Sequence, residues 1–129
     1  MGVRKILGLT ELVTVVSPQG KEEDVIARID TGATASSIGQ ELAARLQLGP
    51  IIKSKVIRSA SGVRKRPVIQ AKIRLHGLLI EDHFNVADRS HMTYMLLIGQ
   101  NILKKGQFLV DPMKHYDNDH TNRHRNDVL

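Results

Sequence analysis

The sequence predicts a mostly β domain with one or two short helices. Most apolar stretches are short and bounded by turn residues, the pattern of strands. Helical spacing of apolar residues occurs only in two brief segments. Glu11 to Val16 reads as a strand broken by Ser17-Pro18-Gln19-Gly20, and Asp24 to Ile29 as the next, ending at Asp30. Ala35 to Ile38 is a short strand. Gln40 to Leu48 carries Leu42, Ala43, Leu46 and Leu48 on an approximate helical stripe, stopped by Gly49-Pro50. Ile52 to Arg58 and Pro67 to Leu75 read as paired strands joined across Ser59 to Arg66. In the second of these, Val68, Ile69, Ala71, Ile73 and Leu75 mostly alternate. His76-Gly77 is a turn, Leu78 to Val86 returns, and Asp88 to Met92 is a loop. Tyr94 to Ile98 reads as a buried strand, Gln100 to Lys105 as a short helix closed by Gly106, and Phe108 to Val110 as a last strand ended by Pro112. No internal repeat is expected, although strand-turn-helix occurs twice, after Asp30 and after Gly99.

The chain has 129 residues, enough for one domain with a modest core. That core must be Ile, Leu, Val and Ala, since there are two Phe, two Tyr and no Trp. Without Cys there can be no disulfide, thiolate metal site or cysteine nucleophile. No apolar run approaches a membrane span and no signal-peptide core is evident near the start, so a cytoplasmic protein with no membrane partner is expected. The net charge of +6, from 19 basic and 13 acidic residues, favours acidic partners. Scarce aromatics argue against single-stranded nucleic acid. Solubility alone also accounts for such a charge. From Lys114 onward the chain is almost wholly polar, which suggests a folded domain over 1–113 and a peripheral tail over 114–129.

The most informative segment is Val25-Ile26-Ala27-Arg28-Ile29-Asp30-Thr31-Gly32-Ala33. An apolar run delivers an aspartate onto a tight turn, followed by small residues. Far along the chain stands Met95-Leu96-Leu97-Ile98-Gly99-Gln100-Asn101-Ile102-Leu103. Together these two segments resemble the retropepsin-like aspartic peptidases. That resemblance implies a closed barrel, one half of an acid protease, in which an Asp-Thr-Gly-Ala loop and a hydrophobic-hydrophobic-Gly corner build half of a shared site. A narrower resemblance rests on Gly8-Leu9-Thr10-Glu11-Leu12-Val13, Arg66-Pro67-Val68-Ile69, Asp88-Arg89-Ser90-His91-Met92 and Phe108-Leu109-Val110-Asp111-Pro112. These are similar to a retropepsin-like group labelled ATP-dependent zinc protease. Its members are associated with ATP-grasp enzymes that add glutamate to a ribosomal protein.

An aspartic peptidase needs two carboxylates sharing one proton, because like charges about 3 Å apart cannot both ionise. The chain holds one Asp-Thr-Gly and is too short for two lobes. The expected catalyst is therefore a homodimer with Asp30, Thr31 and Gly32 of each copy at its axis. Gly32 would permit close backbone approach, and the resemblance implies that Thr31 bonds across to the partner's loop. Ala33 offers no hydroxyl to the outer carboxylate oxygen, which points to activity at mildly acidic to near-neutral pH. Ala33, Ser59, Ala60, Ser61, Gly62, Ile98 and Gly99 are expected to contact a peptide substrate, with Ser59 to Val63 as the flap. That flap lacks the multi-glycine tip of viral members, and Gln100 stands where the family usually has Arg. Arg58, Arg64, Lys65 and Arg66 beside the flap would favour acidic or glutamylated peptides, or merely guard a hairpin edge. No cofactor and no metal are expected: there is no His-Glu-x-x-His and no phosphate-binding Gly-rich loop, and His115, His120 and His124 fall in the polar tail. The alternative function is a non-catalytic acidic-peptide-binding module, or the partner of a glutamate ligase.

Overall fold

In a computed structural model, which describes residues 3–116, nine strands and two helices follow one another along the chain. They are β1 (Ile6–Leu7), β2 (Thr10–Val16), β3 (Glu22–Ile29), β4 (Ser36–Gly39), α1 (Gln40–Arg45), β5 (Ile51–Ser59), β6 (Gly62–Leu75), β7 (Leu78–Ala87), β8 (Leu96–Ile98), α2 (Gln100–Lys105) and β9 (Leu109–Val110). Six strands run in the order β2-β3-β8-β4-β7-β6, and Thr14↔Arg74, Val15↔Ile73 and Val16↔Lys72 join β6 back to β2. The sheet thereby closes into a barrel, which leaves those strands no free edge. β5 hangs outside the ring, paired only to β6.

Alternation puts the core inside. Val13 and Val15 of β2, Ala27 and Ile29 of β3, Ile69, Ala71, Ile73 and Leu75 of β6, and Ile80 and Phe84 of β7 are buried around the short central strands. All four residues of β4 are buried, because it lies between β7, parallel to it, and β8, antiparallel to it. Leu42 and Ala43 of α1 and Ile102 and Leu103 of α2 cap the same core.

Several boundaries differ from the sequence reading. β6 begins at Gly62, because Val63 to Arg66 find hydrogen-bond partners in β5 although they carry no apolar alternation. Gly62 pairs with Ser59, so the flap is the tip of a two-residue hairpin turn. The first helix ends at Arg45: Gln47 turns left-handed (φ 52°), and its N–H and that of Leu48 donate to Ala44 O and Ala43 O. β8 starts at Leu96. β1 was not expected; it pairs in parallel with β9, a partner too distant in sequence to leave a local pattern.

The strand-turn-helix pattern read after Asp30 and after Gly99 takes the form of two strand-helix units, β4–α1 and β8–α2. Ile38-Gly39-Gln40 enters α1 and Ile98-Gly99-Gln100 enters α2. Each helix has six residues, and each ends on a left-handed glutamine, Gln47 or Gln107, followed by an apolar residue whose N–H reaches back into the helix. Of the polar tail, Lys114 O accepts from Leu9 N and Tyr116 N donates to Thr10 O, so residues 114–116 lie along the start of β2. His120 and His124 lie outside the described residues.

Candidate active site

β3 runs parallel to β8, with Ile29 beside Ile98, and this pairing carries the chain to Asp30. Asp30 N donates to Ile98 O at 2.9 Å. Asp30 Oδ1 accepts from Gly32 N at 2.9 Å, and Ala33 N closes the turn on Asp30 O at 3.3 Å. The β8–α2 corner then holds the loop from behind. Gln100 N donates to Ala33 O at 2.7 Å, and Gln100 Nε2 donates to Thr31 O at 2.8 Å. Where the resemblance implies an Arg, the Gln100 amide thus supports the loop as a neutral donor.

Gly99 makes this approach possible. A Cβ there would lie 2.3 Å from Ala35 O and 2.9 Å from Ala33 O, so any side chain would push the loop off the corner. Gly99 N donates to the buried Ser36 Oγ at 2.9 Å, which donates in turn to Asn101 Oδ1 at 2.7 Å. Asn101 Nδ2 donates to His83 O, and Asn85 Nδ2 to Ser36 O. The loop therefore rests on a connected polar scaffold built from β4, β7, β8 and α2. Asp30 itself is half-buried, and Thr31 and Gly32 are exposed. A Cβ at Gly32 would lie 3.3 Å from Asp30 Oδ1, a tight contact that would press on the carboxylate itself.

A groove runs beside the loop as two adjoining cavities of about 350 and 390 Å³ that share Thr34, Ala35, Lys55 and Asn85. Gly32 and Ala33 line the nearer one, opposite Lys55 and Arg66. Of the other expected substrate contacts, Ile98 is fully buried and faces the core, so its neighbour Leu97 forms the groove wall. Gly99 is buried behind the loop. Ser59, Ala60, Ser61 and Gly62 stand exposed at the hairpin tip and line neither cavity, with Ser59 Oγ 3.0 Å from Ser61 Oγ.

The basic cluster is divided by the hairpin. In the antiparallel register Arg66 faces Lys55 and Arg64 faces Ile57, while Lys65 faces Val56 and Arg58 faces Val63. Strand alternation puts Arg64 and Arg66 on one face and Arg58 and Lys65 on the other. Of that cluster Arg66 alone lines the groove, joined there by Lys53 and Lys55 of β5 and by Arg89 from the loop after β7. Lys55, Arg89, Ser37, Asn85 and Leu97 were not singled out from the sequence. Arg66 and Arg89 do lie within two of the segments that carry the family resemblance. As for zinc, among the described residues no group of three or more His, Asp or Glu side chains is gathered as a ligand set, and His76 Nε2 is taken up by Glu11 Oε1 at 2.9 Å. No helix among these residues is long and apolar enough to cross a membrane.

A turn-borne aspartate beside a hydrophobic-hydrophobic-Gly corner, in a closed six-stranded barrel, is the half-site arrangement of retropepsin-like aspartic proteases. The chain belongs to the RimB-like family, described as retropepsin-like aspartic endopeptidase RimB, whose model matches residues 38–121. The matched stretch begins after Asp30, so it supports the family independently of the Asp-Thr-Gly motif. Similar solved structures include the Legionella pneumophila protein Lpg0085, of unknown function, with TM-score 0.65 and 22% identity over 88% of this chain and 98% of that one. The EIAV protease bound to the inhibitor HBY-793 has TM-score 0.59 and 21% identity over 77% and 88%. The simian foamy virus (mac) protease has TM-score 0.57 and 14% identity over 74% and 91%. At these identities they share the fold. No curated protein matches the sequence.

Proposed function

We propose that the chain is an aspartic peptidase that works as a homodimer, its two Asp30 carboxylates activating one water between them, on acidic peptides. One carboxylate abstracts a proton from the water as it attacks the scissile carbonyl, and the other, protonated, supplies a proton to the product. The observation that carries this reading is the way Asp30 is held. Its loop is tied at Asp30 N, Thr31 O and Ala33 O to one rigid corner, yet Thr31 and Gly32 are left open. A surface turn needs no such bracing, whereas a shared carboxylate pair needs its geometry held closely. Gly32 keeps the Asp30 carboxylate uncrowded and leaves its exposed side open to a partner's loop. Leu9, exposed, accepts from Ile29 N next to the loop and offers apolar surface for that partner.

The test is Asp30→Asn in the full chain, assayed on Glu-rich peptides, with dimer formation followed by sedimentation. Activity should fall by roughly 10²–10⁴-fold, with the fold and dimer retained and chelators without comparable effect. A protein that is strictly monomeric, or whose turnover survives Asp30→Asn, would sink the proposal.

A further inference from the structure

One buried carboxylate takes no part in the Asp30 chemistry. Glu11 is 5% exposed and lies on the inward face of β2, in line with Val13 and Val15, where alternation calls for an apolar residue. Burying a carboxylate at such a position costs stability unless specific partners hold it. Glu11 has two. Its Oε2 accepts from Gly8 N at 2.7 Å, and its Oε1 lies 2.9 Å from His76 Nε2. Among the described residues no lysine or arginine bridges it. His76 and Gly77 form the two-residue turn between β6 and β7, with φ of 49° and 80°. Asn-Gly is the pair favoured in such a turn, so the histidine serves there through its ring, which reaches the buried carboxylate.

Gly8, which Glu11 clamps, stands where residues 6–9 meet residues 111–116. A Cβ on Gly8 would run into the Lys114 carbonyl, so the two segments pack backbone against backbone. The next residue, Leu9, donates its N–H to Lys114 O at 2.7 Å and accepts from Ile29 N at 2.9 Å. Ile29 immediately precedes Asp30, whose own N–H goes the other way, to Ile98 O. Consecutive amides therefore moor the end of β3 on two sides, one at the β8–α2 corner and one at Leu9. We infer that Glu11 is a positioning residue of the Asp30 site. With His76 it fixes Gly8, Gly8 fixes the Leu9 carbonyl, and that carbonyl sets Ile29 and with it the backbone of Asp30. Its weight falls on kcat, because a shared carboxylate pair is sensitive to small displacements. It does not fall on peptide capture, because Glu11 lines neither cavity beside the loop. The catalytic consequence rests on the peptidase reading, whereas the clamp itself is read without turnover.

The test uses the full chain, with hydrogen exchange of single backbone amides followed by NMR, and kcat and KM measured on a Glu-rich peptide. Glu11→Leu suits the core-facing position and removes both hydrogen bonds. His76→Asn suits the left-handed turn and removes one. In both variants the Gly8, Leu9 and Ile29 amides should exchange about tenfold faster, as loss of a hydrogen bond allows, while Val15 and Ile73 in the barrel keep their protection. The kcat should fall about tenfold or more with KM unchanged. Glu11→Gln should recover both readouts in large part, since its amide oxygen accepts from Gly8 N and its NH2 donates to His76 Nε2 in the other tautomer. If Glu11→Leu fails to fold, His76→Asn carries the test. Unchanged exchange at Ile29 would overturn the inference, as would equal acceleration of Ile29 and the barrel amides, the mark of a merely structural role. Selective loosening of Ile29 with kcat intact would overturn it too and leave the peptidase reading standing. A parent without turnover would remove the peptidase reading, and the exchange pattern would then decide by itself whether Glu11 holds the Asp30 backbone.

Discussion

The β4–α1 and β8–α2 units are built from the same local instructions and do different work. Each runs Ile-Gly-Gln into a six-residue helix that ends on a left-handed glutamine. Gly39 faces the Met95 side chain, where a Cβ would sit 3.2 Å from a sulfur that can move aside. Gly99 faces backbone, with Ala35 O at 2.3 Å from the same imagined atom. Gln40 is exposed, and its side chain makes none of the hydrogen bonds found among the described residues. Gln100 sends its amide into the Asp30 loop. The unit that touches the loop became the site's frame, and the other remained a wall of the barrel. Identical local signals thus acquire function from what lies opposite them.

Replacing each glycine by alanine should break this comparison most visibly. Gly99→Ala must displace backbone, and overpacking of that kind costs about 3 kcal/mol or more. It should lower the melting temperature steeply and abolish peptidase activity. Gly39→Ala should cost less than about 1 kcal/mol, because a methionine adapts. Equal losses in thermal denaturation would mean that the loop-corner contact is not what distinguishes the units.

Two adjacent serines of β4 give a smaller effect. Ser36→Ala strips Gly99 N of its buried acceptor and should cost about 1–3 kcal/mol in urea unfolding. Ser37→Ala removes a buried hydroxyl that has no partner and should be neutral or slightly stabilising. Smaller still is Gln100→Ala, which should lose about 1 kcal/mol and lower kcat more than that stability change suggests, because Thr31 is released. Gln40→Ala should leave both unchanged.

The smallest effect is electrostatic. Arg45, in the last turn of α1, holds Glu23 of β3 at 2.8 Å. Its hydrogen bond outweighs burial and lowers the Glu23 pKa. A lowered carboxylate pKa adds stability that is present above the unfolded-state value and lost as pH falls through the folded-state one. Arg45→Gln should therefore destabilise slightly at neutral pH, with the difference from the parent vanishing in acid. The effect stays small because both side chains are solvated. A difference that grew in acid would reverse the assignment.

Local rules were enough to read the alternation of Val68 to Leu75 in β6, the starts of both helices, and the apolar run that lifts Asp30 onto a turn, because side-chain period and turn chemistry act over a few residues. Asp-Thr-Gly, present once, is what led the sequence reading to one half of a dyad. Other features depended on distant partners. β1 exists only because β9 lies beside it, and β6 extends back to Gly62 only because β5 supplies its hydrogen bonds. The groove depends on distant partners too: Lys55, Arg66 and Arg89 are unremarkable basic residues in a chain with 19 of them. Closure of the barrel and the strand register bring those three, with Ser37 and Asn85, to one side of the Asp30 loop. Charge and hydrogen-bonding capacity belong to each residue alone, but a site needs them converging on one volume, and only the tertiary structure decides which residues converge.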